Sequence, residues 1–194
     1  GEPNLSAPAP IYADGHPDLS GLWDPVEVSS DLLDASKVQE WAQTLMTQRE
    51  ERFFVDNPGF QCLPRGPGYL TLERMRRIVQ GPSFLAMLNE DLTYRQIFMD
   101  GRALEPEPHP TWMGYSVGRW EGDTLVVESN GYNEKTWVHR RGLSHTESLR
   151  ITERYHRVDF GHMQLDVTYE DSGTFDSPLH STIVLELAAD DEML

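Results

Sequence analysis

The chain of 194 residues is short of cysteine, of positive charge and of long apolar runs. Its one cysteine, Cys62, excludes an intramolecular disulfide, so pairing says nothing about the redox compartment. No apolar stretch approaches the roughly 18 residues of a spanning helix, so membrane insertion is not expected. Sixteen basic residues stand against 32 acidic ones, and the net charge of −16 is spread over both halves. Such a field repels phosphate backbones and anionic lipid, so nucleic acid is not an expected partner. There is no Gly-x-Gly-x-x-Gly, no Walker loop, no Gly-x-Ser-x-Gly elbow, no His-Glu-x-x-His and no Cys-x-x-Cys. Nucleotide-driven and serine-hydrolase chemistry are disfavoured, and neither an organic cofactor nor a metal is expected. An initiator Met is also missing, which reads as a processed or trimmed terminus: a removed export signal, or an artificial boundary.

What is present suffices for a core, with 38% hydrophobic and 10% aromatic residues. Residues 1–18 read as an extended arm, and 19–194 as a single domain. Residues 34–53 carry one helical face, with Val38, Trp41, Ala42, Leu45 and Met46 at a 3.6-residue period. A Pro- and Gly-rich ordered loop around Cys62 is expected at 56–70. A short strand is expected at 19–25, stopped by Pro25. Eight more are expected at 75–80, 84–90, 93–99, 114–120, 124–129, 146–157, 162–170 and 182–188. Their spacing predicts a mainly β fold, an antiparallel meander closing into a barrel, with one N-terminal helix and long loops.

The clearest local signal is Gly114-Tyr-Ser-Val-Gly-Arg-Trp-Glu-Gly-Asp-Thr-Leu-Val-Val-Glu-Ser129, two strands around a Glu-Gly-Asp turn. Alternation then sorts side chains by face. Along 144–155, His145, Glu147, Leu149, Ile151, Glu153 and Tyr155 share a face, and its apolar members make it the inner one. Tyr169 faces in from the next strand. Ionisable groups on an apolar inner face are costly unless paired. His145 and Glu147 therefore suggest an acid–base couple at a pocket mouth, or alternatively a structural hydrogen-bonded pair closing one barrel end. Arg102 could clamp a substrate carboxylate or bridge to Asp100. Tyr115 is a second oxygen-holding candidate. Trp112, Trp120 and Trp137, with Leu149, Ile151 and Tyr169, are candidate walls of a substrate pocket or parts of the core. Glu153, Arg154 and Arg157 read as an ion-pair set at a strand edge. A metal site assembled from His139, His145 and Glu147 is a third arrangement that the spacing allows geometrically.

The segment 114–127, preceded by Asp100-Gly-Arg102 and followed by His145-Thr-Glu147 and Thr152-Glu-Arg154, resembles a family of small, mostly exported bacterial proteins. The resemblance covers residues 19–170. It implies an exported location and carries no activity. Gly21-Leu-Trp23 opening a barrel, with an arginine late in the sheet, is similar to the lipocalin-like (calycin) pattern. The long helix and loop before Arg74 depart from a plain lipocalin.

Together these features predict a small-molecule enzyme of lyase, hydratase or isomerase type. His145 would be base or acid, Glu147 its orienter, and Arg102 or Tyr115 the holder of a substrate oxygen. The alternatives are a non-catalytic binding protein for a hydrophobic or aromatic ligand, and a metal-assisted enzyme. The composition is also compatible with a homo-oligomer.

Overall fold

A computed structural model of the protein describes residues 4–66, 68 and 74–189. The first three residues of the arm, part of the 56–70 loop and the acidic end at 190–192 lie outside them. Nine strands close into one barrel in sequence order. They are β1 (Gly21–Ser30), β2 (Arg76–Gln80), β3 (Phe84–Asn89), β4 (Tyr94–Phe98), β5 (Tyr115–Glu121), β6 (Thr124–Asn130), β7 (Arg150–Arg157), β8 (His162–Glu170) and β9 (Leu179–Leu187). Among the described residues the long α-helix is α1 (Glu40–Glu51), which precedes β2. The architecture is the expected mainly β, lipocalin-like barrel, with the N-terminal helix α1 among the described residues.

One seam departs from the antiparallel meander. β4 and β5 run parallel and share only two registered pairs, Ile97 with Ser116 and Phe98 with Val117. The long, proline-rich connection between them returns the chain to the starting end, which a hairpin cannot do. The other seams are antiparallel, and β1 closes on β9. β1 runs on through Pro25 instead of stopping there. Its contact with β2 covers only Gly21–Trp23, and a bulge beside Pro25 absorbs the irregularity on the β9 side.

The helix is shorter than its apolar period. Residues 34–39 are held as turns, with Asp34 accepting from the Ser36 amide and hydroxyl, and Val38 bridges to Phe175. Trp41 is 43% exposed and donates its ring N–H to the Gly173 carbonyl, so Ala42 and Met46 make the packing face.

Alternation places the core well. Leu125, Val127, Ile151, Tyr155, Met163, Leu165, Val167, Tyr169, Ile183 and Leu185 are buried together with Trp23 and Ile78. Leu149 and Ile151 belong to this packed core and not to an open pocket. The arm is docked: Phe160 and Gly161 donate to the Ala7 and Leu5 carbonyls, and His16 stacks on Trp120 at 4.7 Å.

Candidate functional site

The barrel interior carries a charged core. Arg95 on β4 and Glu153 on β7 form a salt bridge, with side chains 4% and 1% exposed. Arg95 Nε donates to Ser116 Oγ at 3.0 Å, and Nη2 donates to Ser129 Oγ at 2.7 Å as well as to Glu153. Ser116 and Ser129 face each other across the β5–β6 register, so both hydroxyls reach one guanidinium. Tyr155 donates to the other Glu153 oxygen at 2.7 Å. The hydroxyls of Tyr132 and Tyr169 lie buried beside Ser129 and Ser181 without completing a hydrogen bond.

This network holds its charge and does not exchange protons near neutrality. Burial alone would raise the Glu153 carboxyl, but the Arg95 charge and the bonds from Arg95 and Tyr155 hold it below the usual carboxylate range. Burial and the neighbouring Glu153 push Tyr155 well up. Burial lifts Tyr132 to about 12. The expected ion-pair set on β7 is thus divided. Glu153 points inward to Arg95, Arg154 bridges to Glu121 outside, and Arg157 lies over the Trp23 ring.

The couple of His145 and Glu147 does not form. Asp171 captures Thr146, accepting from its amide at 2.6 Å and its hydroxyl at 2.7 Å. Residues 146–149 therefore form a turn, with Leu149 N donating to the Thr146 carbonyl at 3.1 Å, β7 begins only at Arg150, and the alternation does not extend back to 147. Glu147 is exposed, whereas His145 is buried. Its Nδ1 meets the Thr146 carbonyl at 2.8 Å and its Nε2 the Thr136 hydroxyl at 2.7 Å. A carbonyl only accepts, so Nδ1 carries the proton and Nε2 accepts from Thr136. Both ring nitrogens are occupied, which is the structural reading of this histidine. Among the described residues no three His, Cys, Asp or Glu side chains converge for a metal, so His139, His145 and Glu147 make no ligand set.

These histidines set an acid limit on stability. Burial lowers His145, and burial with Arg140 and Arg141 lowers His139 from 6.5 to about 4. A histidine kept neutral by the fold stabilises it above the unfolded pKa and loses that contribution as pH falls towards the folded value. Stability should fall between pH 6.5 and about 4, the interval set by His139. Urea midpoints across that window test this, and a His139→Gln protein should show a shallower slope.

The other candidates divide between two places. Arg102 bridges to Asp100 at 2.6 Å and lies 3.9 Å over the Phe98 ring. Its pKa is raised first by the Asp100 bond and then by Tyr115 beside it. Phe98 and Tyr115 rings stand 5.5 Å apart. Trp112 joins them on a groove of about 450 Å³, lined also by Leu92, Tyr94, Arg95, Gly114 and Ser116. Trp120 sits at the far end of β5, about 17 Å from Tyr115 at strand spacing. Trp137 is buried under the Arg49 guanidinium, 4.4 Å from its ring. Neither belongs to the groove. Tyr169 is a core residue beside the Arg95 network.

The groove follows from the parallel seam. Beyond the two pairs at Ile97 and Phe98, the strands part, and 92–96 and 111–116 form facing walls. Leu92 and Tyr94 are 94% and 70% exposed, which is expensive surface for a chain to leave in water without use. Arg95 and Ser116 belong to both the groove lining and the interior network. Sequence reasoning missed Arg95, Tyr94 and Leu92. The signal available was an arginine inside a strand otherwise alternating towards the core. No family model matches the chain, and no curated protein or solved structure does.

Proposed function

We propose that the protein binds a hydrophobic or aromatic small molecule in the groove over the β4–β5 seam, without transforming it. The observation that carries this reading is the aromatic wall of Tyr94, Phe98, Trp112 and Tyr115 on one concave surface of about 450 Å³. Flat apolar ligands bind by burying their faces against such rings, with a few polar groups fixing orientation. Cations ride on two of the rings, Arg102 on Phe98 and Lys135 on Trp112 at 5.9 Å. They soften the acidic field of the chain locally and suit a ligand with an electron-rich edge. Acid–base catalysis lacks support by comparison. His145 is engaged on both nitrogens, and Glu153 and Tyr155 are tuned away from neutral exchange.

Titration with anilinonaphthalene sulfonate, a flat aromatic probe, tests the reading. Saturable binding is expected, weakened at least about tenfold by Trp112→Ala and by Tyr94→Ala, as for aromatic anchors of a binding site. Trp120→Ala and Glu147→Ala should leave the affinity unchanged. Equal affinity in the Trp112→Ala protein would refute the assignment.

A further inference from the structure

The groove over the β4–β5 seam differs in charge from the rest of the chain. The sequence holds 32 acidic and 16 basic residues, yet among the described residues that line the groove none is acidic and Arg95 is the one charged side chain. The carboxylates nearest to it in sequence are already engaged. Asp91 accepts from the Thr93 amide and hydroxyl at 3.2 and 2.6 Å, Glu90 bridges to Arg74, and Asp100 bridges to Arg102. A bound anion therefore meets a guanidinium with no carboxylate in the lining beside it.

Arg95 keeps donors for such an anion. Nε and Nη2 serve Ser116, Ser129 and Glu153 inside the barrel. Nη1 makes no hydrogen bond among the described residues and is not sealed from solvent, and the groove is the opening that Arg95 lines. Ser116, which also lines the groove, adds a second donor. Its Oγ accepts from Arg95 Nε at 3.0 Å and from Ser129 at 2.9 Å, so its own proton has no acceptor among the described residues. Glu153 is 1% exposed and lies outside the lining, where it fixes the guanidinium from the interior side. The arginine is thus ordered before a ligand arrives, and little side-chain freedom is lost on binding. A charge-assisted bond made in so shielded a place is stronger than one at open surface.

We propose that the groove selects a flat aromatic carboxylate, its ring against Tyr94, Trp112 and Tyr115 and its carboxylate on Arg95 Nη1 and the Ser116 hydroxyl. This rests on the aromatic groove being a binding site and adds the charge of the ligand. It also gives the buried ion pair a second use, since Glu153 holds the guanidinium while the ligand takes its remaining donors.

The test compares three naphthalenes on the whole protein, all substituted at the same ring carbon: naphthoate, naphthylmethanol and naphthylmethylammonium. Each is followed by backbone amide shifts along 92–96 and 111–116 and by the guanidinium resonances of Arg95. Naphthoate should bind about tenfold more tightly than the alcohol, the scale of one charge-assisted hydrogen bond, and the ammonium more weakly than the alcohol. The Arg95 resonances should move further with naphthoate than with the alcohol. The double variant Arg95→Met/Glu153→Leu, which removes both interior charges together, should bind naphthoate no more tightly than the alcohol. An alcohol that binds as tightly as naphthoate, with shifts along the seam, would overturn the carboxylate and leave the groove reading standing. Binding of none of the three into the millimolar range would overturn both. Equal movement of the Arg95 resonances with naphthoate and alcohol, or a preference for naphthoate that survives in the double variant, would remove Arg95 as the partner of the anion and overturn the proposal.

Discussion

Replacing Glu153 by glutamine is expected to cost about 3–5 kcal/mol of folding stability, because it leaves the Arg95 guanidinium buried without a counter-charge. The change keeps the shape of the side chain and removes only charge, so a large effect isolates the ion pair. Arg95→Met should cost a similar amount by stranding the carboxylate. The double variant Arg95→Met/Glu153→Leu should recover most of the loss, since apolar replacement of a buried pair is often neutral or favourable. Ser116 and Ser129 then keep each other as partners at 2.9 Å. The pair also sets an acid dependence. A carboxyl depressed by the fold stabilises it above the unfolded pKa, and that contribution is lost as pH falls through the lower folded value. Glu153→Gln should therefore flatten the stability profile below the ordinary carboxylate range. Denaturant midpoints of all three proteins check this; a Glu153→Gln protein within about 0.5 kcal/mol of the parent would mean the site is more hydrated than its burial indicates.

Gly114→Ala should cost about 3 kcal/mol, from a left-handed backbone penalty of about 1–2 and overpacking of similar size. Gly114 has φ of 68°, and an added Cβ would lie 2.5 Å from the Tyr132 ring and 2.7 Å from the Asn130 carbonyl oxygen. Neither neighbour moves freely: Tyr132 is wholly buried, and Asn130 is registered opposite Tyr115. Gly122→Ala is the control, with φ of 61° and nothing within 4 Å of the new carbon. It should cost only the backbone part. Gly114 also lines the aromatic groove, so its substitution should weaken probe binding where Gly122→Ala does not. Equal costs at the two glycines would show that Tyr132 and the seam yield to a methyl group.

The barrel was legible in the sequence because its inner face obeys a period of two over most strands. On β7 the alternation correctly turned Ile151, Glu153 and Tyr155 inward. It failed at His145 and Glu147 because Asp171, 25 positions later, takes the Thr146 amide and bends the chain. No local pattern announces that capture. The partner of Glu153 was illegible for a related reason. Arg95 lies 58 residues away, and only the closure of β4 onto β5 across a two-pair parallel seam brings it near β7. The same seam makes the groove. Trp112 and Tyr115 were recognisable as pocket candidates from residue type, but Trp120 and Trp137 were equally so. Which of them share a surface depends on the path of the proline-rich crossing.

The binding assignment is tested most directly by titrating isotopically labelled protein with anilinonaphthalene sulfonate and mapping the amide shifts residue by residue. The largest saturable changes should fall on 92–96 and 111–116, with no comparable changes at Thr136, His145 or Glu147. Changes centred on those three residues, or none along the seam, would contradict the account.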